Sequence, residues 1–240
     1  MQLYYIRHAQ SENNALYPRA GNYEGRSMDP ALTETGRNQA ELLALYLKKE
    51  QEKNDQQGDQ LCSGYIGKFT HLYTSLMERA VASAEIIAEA LDLPLQAWED
   101  LHETGGIFSY DPVTGEPAGQ EGKNREYFKT HHPSLILPDS LGEVGWWNRP
   151  FESIGSRVAR GRAVLRDLHQ KHGCSNDRVA FVSHGGFYNY FIMAVLGLER
   201  RDGFWFLMNN TAITRFDFKQ DETVLVYQNQ TSHLPPDLVT

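Results

Sequence analysis

Apolar residues follow two rhythms along this chain. Short continuous runs alternate with longer stretches in which every third or fourth position is apolar. Leu3-Tyr4-Tyr5-Ile6, Phe69-Thr70-His71-Leu72-Tyr73-Thr74, Leu95-Gln96-Ala97-Trp98 and Val179-Ala180-Phe181-Val182 are of the first kind. They have the length of buried strands. Leu42, Leu43, Leu45, Tyr46 and Leu47 make a helical stripe; so do Val81, Ala84, Ile87, Ala88 and Leu91, and again Ile154, Val158, Val164, Leu165 and Leu168. The pattern predicts strands over 2–7, 69–74, 95–98 and 178–183. It predicts helices opening at 32–36 and running over 79–91, 151–172 and 186–196. Thr33 is the expected N-cap of the first helix, its side-chain oxygen meeting the orphan amides of the opening turn. Residues 211–218 and 223–228 read as a closing hairpin around Lys219-Gln220-Asp221.

Two stretches lack a rhythm. Residues 48–60 are rich in Lys, Glu, Gln and Asp, and read as a frayed helix end and surface loop. In residues 104–150 Gly, Pro, Trp and polar residues dominate and periodicity fades. The alternation of strand and helix elsewhere predicts an α/β fold. Its expected form is a three-layer sandwich, a mainly parallel central sheet with helices on both faces. We expect one domain over 1–240, with 104–150 as an inserted lid segment. Loops that long are usually lids or disordered, and Phe108, Tyr110, Tyr127, Trp146 and Trp147 argue against disorder.

Charge narrows the partners. The net charge is −8, and no basic stripe offers the phosphate neutralisation that nucleic acid needs. An anionic small substrate must be drawn by a local cationic pocket. Cys62 and Cys174 make neither a disulfide framework nor a metal cage, and read as free thiols in a reducing compartment. No apolar run approaches the ~20 residues of a membrane span, and the N-terminus enters a strand with no secretory pattern. The expectation is a cytoplasmic protein with no membrane and no nucleic-acid partner; a homodimer is left open.

The candidate chemistry sits where strands end. Arg7-His8 closes the first strand and Ser183-His184-Gly185-Gly186 follows the fourth. In parallel sheets ligands bind at the carboxyl ends of strands. Arg7-His8, Ser75 to Arg79, Glu103 and His184 all fall there, so scattered segments converge on one site. A neutral imidazole at His8 can attack phosphorus, provided its other ring nitrogen donates to an acceptor that fixes the tautomer. Arg7 and Arg79 present forks suited to phosphate oxygens. His184, if protonated by the dianion, is a third donor. Gly185-Gly186 lets a helix N-terminus approach an anion closely. Glu103 is the acid–base candidate. His131-His132 has no partner at metal spacing and reads as surface. Trp146-Trp147 reads as packing more than substrate stacking. Arg19, Arg26 and Arg149 could reach the substrate, as could any loop arginine, and the sequence assigns them no role.

These segments resemble the histidine phosphatase superfamily, the phosphoglycerate-mutase-like proteins. Its signature Arg-His-Gly-x-Ser-x-x-Asn matches Arg7-His8-Ala9-Gln10-Ser11-Glu12-Asn13-Asn14, with Ala9 in place of Gly. Its Leu-Thr-x-x-Gly-x-x-Gln-Ala matches Leu32 to Ala40. Its Ser-Pro-Leu-x-Arg-Ala appears as Ser75-Leu76-Met77-Glu78-Arg79-Ala80, its Leu-x-Glu as Leu101-His102-Glu103, and its second histidine as His184. Asn210-Thr211-Ala212-Ile213-Thr214 resembles its late segment. The resemblance implies a nucleophilic His8 and a proton-donating Glu103. It implies a phosphate pocket of Arg7, Asn14, Arg79 and His184, and no metal or cofactor. The expected substrate is a small phosphorylated metabolite, hydrolysed through a phosphohistidine. After Glu103 the chain runs Thr104-Gly105-Gly106-Ile107-Phe108, unlike the Glu-Arg-His-Tyr-Gly stretch of the cofactor-dependent mutases. That favours phosphatase over mutase; a catalytically weak regulatory member of the fold is the other alternative.

Overall fold

The computed structural model describes the chain except residues 21–24, 58–65, 200 and 202; the side chains of 17–20 and 54–57 also lie outside the description. Nine strands and six α-helices are described: β1 Gln2–Arg7, α1 Glu12–Ala20, α2 Glu34–Gln57, β2 His71–Thr74, α3 Glu78–Leu91, β3 Leu95–Ala97, β4 Phe108–Tyr110, β5 Pro117–Gly119, α4 Arg125–His131, β6 Leu135–Ile136, α5 Ile154–His172, β7 Arg178–Ser183, α6 Gly185–Leu196, β8 Ile213–Phe218 and β9 Thr223–Gln230. Seven strands form one sheet in the order β6-β3-β2-β7-β1-β8-β9. The pairs among β1, β2, β3, β6 and β7 are parallel; β1–β8 and β8–β9 are antiparallel.

The period of two in the strands builds two cores. In β1, Tyr4 and Ile6 face a layer that contains Leu43, Leu47, Val81 and Ile87 of α2 and α3. Leu3 and Tyr5 face Val164, Leu168, Phe187 and Phe191 of α5 and α6. In β7, Ala180 and Val182 join the first layer, Val179 and Phe181 the second. Side chains that alternate across a strand and are apolar on both faces require helices on both sides. The three-layer α/β sandwich is the result.

Several elements depart from the sequence reading. Helix α1 was not expected: Asn13, Asn14 and Pro18 mask it. Its signal is a capping box. The Ser11 hydroxyl accepts the Asn14 N–H at 3.4 Å, and the Asn14 Oδ1 accepts the Ser11 N–H at 3.1 Å. Helix α2 runs on to Gln57, through most of the stretch read as fraying and loop; residues 58–60 lie outside the description. Lys, Glu and Gln favour helix without an apolar stripe, and Lys53 pairs with Glu50 at 2.6 Å. Thr33 caps this helix as expected, accepting the Gly36 N–H at 2.9 Å. Helix α5 starts at Ile154, after an N-cap Ser153 that accepts the Ser156 N–H.

The aperiodic 104–150 stretch contains structure of its own. β4 and β5 pair as a hairpin, whose turn is shaped by Asp111 Oδ1 accepting the N–H groups of Val113 and Thr114. Asn124 caps α4 through Tyr127 N–H. β6 adds to the edge of the main sheet beside β3. Ile107, Phe128, Leu141, Trp146 and Trp147 belong to the first core layer.

Candidate active site

Four chain segments meet at the carboxyl end of the sheet. β1 ends at Arg7 and delivers His8. β2 delivers Ser75, and the first turn of α3 brings Arg79. β7 ends at Ser183 and delivers His184, the N-cap of α6. Beyond β3 a single helical turn over 99–101 leads to Glu103. The His8 and His184 rings lie 5.0 Å apart, centre to centre, and both are buried.

The His8 hydrogen bonds define its state. Nδ1 donates to the Ala9 carbonyl at 2.7 Å. Nε2 accepts from Arg79 Nε at 3.1 Å. An acceptor on one side and a donor on the other select the neutral Nδ1–H tautomer. Burial, and then the Arg79 and Arg7 charges, push the pKa well below the usual 6.5, outweighing the Ala9 bond. The ring is therefore an uncharged base with its lone pair on Nε2. Asn210 fixes the backbone, its Nδ2 donating to the His8 carbonyl at 2.9 Å.

Arg7 anchors one nitrogen on the Met208 carbonyl at 2.7 Å, while its buried Nε has no hydrogen-bond partner among the described residues. Arg79 is 6 % exposed, with Met77 Sδ at 3.3 Å and Asp29 Oδ1 at 3.9 Å. His184 Nε2 meets the Ser75 hydroxyl at 2.7 Å. Its Nδ1 is buried with no partner among the described residues. Burial first, and then the Arg79 charge, push the His184 pKa well down, so this ring is neutral until the charge of a bound dianion favours its protonated form. Two buried, unpartnered nitrogens beside a cationic fork leave hydrogen-bonding capacity that an anion would fill. Asn14 sits in the first turn of α1. Its Oδ1 accepts from Ser11 and, at 3.3 Å, from Asn210.

The helix end at Gly185-Gly186 does hold an acidic group, but an internal one. Glu103 Oε2 accepts the Gly186 N–H at 3.1 Å, and Oε1 accepts the N–H groups of Phe187 at 2.8 Å and Thr104 at 2.7 Å. Glu103, and not a ligand, thus occupies the first-turn amides of α6. The glycines permit this packing. A Cβ on Gly186 would stand 2.4 Å from Glu103 Oε1, and one on Gly185 would stand 3.3 Å from Arg7 Nε.

The neighbouring cations differ in reach. The Arg26 guanidinium lies 4.4 Å over Phe108, and its charge acts on Arg79. Arg149 lies 4.4 Å over Trp147, whose ring meets His102 at 4.7 Å. Met28, Gly119, Gln120, Glu121, Asn148, Arg149 and Pro150 line an open cleft of about 540 Å³. The Arg19 side chain lies outside the described residues. Trp146 and Trp147 are packed, 5 % and 4 % exposed.

One expectation fails nearby. His132 is not a surface residue. It is buried and bridges Glu85 at 2.8 Å and Glu78 at 3.3 Å. Burial opposes its charge, yet the two carboxylates push its pKa up to about 9. His131 is exposed, stacked on Tyr127. The residues the sequence reading missed are Ser75, Asn210 and Asp29 as contacts of the site. Ser75 and Asn210 lie inside segments already singled out. Nothing local marked Asp29.

Among the described residues one cluster has metal-ligating composition, His71, His172 and Asp177, with ligand atoms within 4.8 Å. It lies at the opposite end of β2 and β7. His172 Nδ1 bonds Asp177 at 2.7 Å, its Nε2 meets Tyr73 OH at 3.2 Å, and His71 meets Thr70 at 2.9 Å. Cys174 is a free, exposed thiol; Cys62 lies outside the described residues.

Comparison with known proteins gives the context. The histidine phosphatase superfamily (branch 1) family model matches residues 3–231. The chain is 28% identical over 240 residues to a putative phosphoserine phosphatase 2 of Hydrogenobacter thermophilus, covering 97% of each. It is 28% identical over 227 residues to a probable phosphoglycerate mutase GpmB of Photorhabdus laumondii, covering 91% of this chain and 86% of the other. Among solved structures it is similar to a phosphoserine phosphatase of Entamoeba histolytica in complex with 3-phosphoglyceric acid. That match has 26% identity and a TM-score of 0.61, covering 98% and 99% of the two chains. A histidine-to-alanine mutant of the same enzyme, in complex with phosphoserine, matches at 25% and 0.61.

Proposed function

The chain belongs to the histidine phosphatase superfamily, and on that footing we propose that it hydrolyses a small phosphorylated acid, without metal, through a phosphohistidine at His8. It is a phosphomonoesterase of the histidine phosphatase type. The observation that carries the mechanism is the His8 tautomer: a neutral ring between two arginines, Nδ1 tied to Ala9 and the lone pair on Nε2.

In the first step Nε2 forms the N–P bond as the P–O bond to the leaving group breaks. Arg7, Arg79, Asn14 and His184 take the charge on the phosphoryl oxygens. Glu103, carrying a proton, gives it to the leaving oxygen. In the second step Glu103 takes a proton from water, the water oxygen attacks phosphorus, and the N–P bond breaks. Phosphate leaves and His8 is neutral again. Splitting one displacement into two is the advantage of a covalent nucleophile.

Phosphoserine is the first substrate to test, since relatives along the whole chain are named phosphoserine phosphatases. The cleft with Arg149 and Glu121 offers charges for a carboxylate and an ammonium. We read residues 104–150 as the lid that supplies these contacts within a single domain. We read the location as cytoplasmic from the chain's two cysteines, too few for a disulfide framework; among the described residues no helix is long and apolar enough to cross a membrane.

The test is phosphate release from phosphoserine in chelator, with no bisphosphorylated primer. Release is expected, and Arg149→Ala should slow phosphoserine more than p-nitrophenyl phosphate. Negligible release, with rapid interconversion of 3- and 2-phosphoglycerate, would establish a mutase instead.

A further inference from the structure

The attacking nitrogen of His8 is not free. Nδ1 carries the proton, so Nε2 holds the only ring lone pair, and Arg79 Nε–H is bonded to it at 3.1 Å. Bond formation to phosphorus requires that lone pair. The guanidinium must therefore move off His8 before or as the phosphoryl group arrives.

Asp29 stands on the other side of that guanidinium. Its Oδ1 is 3.9 Å from Arg79 Nη1, too far for a hydrogen bond, which needs about 2.7–3.2 Å. A shift of about 1 Å would close it. The carboxylate is held in place: Oδ1 accepts the backbone N–H of Glu78, the residue before Arg79, at 3.0 Å. Oδ2 is buried with no hydrogen-bond partner among the described residues. Lys123 Nζ lies 3.5 Å from it, but its short contact is with Glu78 Oε2 at 2.5 Å. Burial pushes the Asp29 carboxyl up, against the Lys123 and Arg79 charges. Oδ1 accepts one hydrogen bond and as a carboxylate oxygen has room for a second, so this buried carboxylate, one short step from Arg79 Nη1, is a second seat for that guanidinium.

We propose that Asp29 is a positioning residue: it draws Arg79 off His8 when the phosphoryl group enters, so that Nε2 is freed to attack while the Arg79 N–H groups turn to the phosphate oxygens. This rests on the reading of His8 as nucleophile. Lys123 stands 3.5 Å from Oδ2 and 2.5 Å from Glu78 Oε2, so it competes with Arg79 for the carboxylate without positioning it; the Glu78 N–H does that.

The probe is p-nitrophenyl phosphate in rapid-quench single turnovers. Asp29→Asn keeps one acceptor oxygen for the Glu78 N–H, removes the charge and replaces the second oxygen by an amide NH2. The rate of the first phosphoryl transfer should fall at least tenfold, with KM changed less than threefold and the thermal midpoint held. Nitrogen NMR of His8 supplies the readout that a structural role would not move. On saturating inorganic phosphate, Nε2 of the parent protein should lose its hydrogen-bonded signature, and Nε2 of Asp29→Asn should keep it. A first-turnover rate equal to the parent's, or a fall explained by a lowered thermal midpoint, overturns the proposal. If Asp29→Asn does not fold, Lys123→Met carries the test. A rate at or above the parent's is expected, and a tenfold fall at an unchanged midpoint overturns the proposal. Persistent turnover in His8→Ala would instead end the nucleophile reading. His8→Ala inactive with Asp29→Asn unimpaired would end only the positioning role.

Discussion

His8 acts through the separate partners of its two nitrogens, one on a backbone carbonyl and one on a guanidinium. Its burial between arginines keeps it neutral well below pH 6.5. The acid limb of kcat/KM should therefore not appear near 6.5 as a titration of His8 or of His184; a limb at 6.5 that vanishes in His184→Gln would contradict the depressed pKa of the second ring. Arg79→Ala should cost at least ~2–3 kcal/mol of transition-state stabilisation, the scale of a preorganised donor, read as a drop of about a hundredfold in kcat/KM. At this scale the sequence was informative where a residue follows directly on a strand. Arg7, His8 and His184 stand where the strand tips put them, whereas Glu103 is reached through the helical turn that follows β3. Asp29 and the seat of Glu103 were not legible, because each depends on a contact across a long separation: 29 with 78 and 79, and 103 with 186 and 187.

Among the elements, α6 is the one whose end is spoken for. Its opening amides hold Glu103, so the glycine at 186 belongs to the acid–base group more than to the phosphate. Gly186→Ala places a methyl against Oε1 and should displace the carboxyl. If Glu103 protonates the leaving oxygen, kcat should fall more for phosphoserine than for p-nitrophenyl phosphate, whose leaving group needs little proton assistance. Equal loss on both esters would contradict that role. The strands outside 104–150 and helices α2, α3, α5 and α6 were legible from the apolar pattern. Helix α1, β4, β5, β6 and α4 were not. They are short, and a capping box, a two-residue strand pair or a seven-residue helix carries too few apolar positions to show a period.

For the whole molecule, buried charge sets the response to pH. His8, His102 and His184 are all held neutral, with pKa values pushed well below 6.5 chiefly by burial. A depressed histidine pKa means that the unfolded chain binds the extra proton first. Stability from these groups is full above pH 6.5 and is lost as pH falls below it, each adding a slope of about 1.4 kcal/mol per pH unit. His132 works in the opposite sense. With its pKa raised to about 9, its contribution is full below pH 6.5 and is lost as pH rises through 9. It is about 1–2 kcal/mol after allowance for solvent screening. Thermal midpoints should thus fall on both sides of neutrality, and His132→Gln should flatten the alkaline side alone. A midpoint in the variant that still falls between pH 7 and 9.5 as in the parent would contradict this assignment.

The central claim is covalent: phosphorus passes through His8. Labelled phosphoserine, mixed with enzyme and quenched in base within a turnover, should leave label on the protein that survives base and is released by acid. Digestion should place it on the peptide containing His8, and His8→Ala should carry none. Label on a serine or aspartate, or undiminished turnover in His8→Ala, would contradict the account.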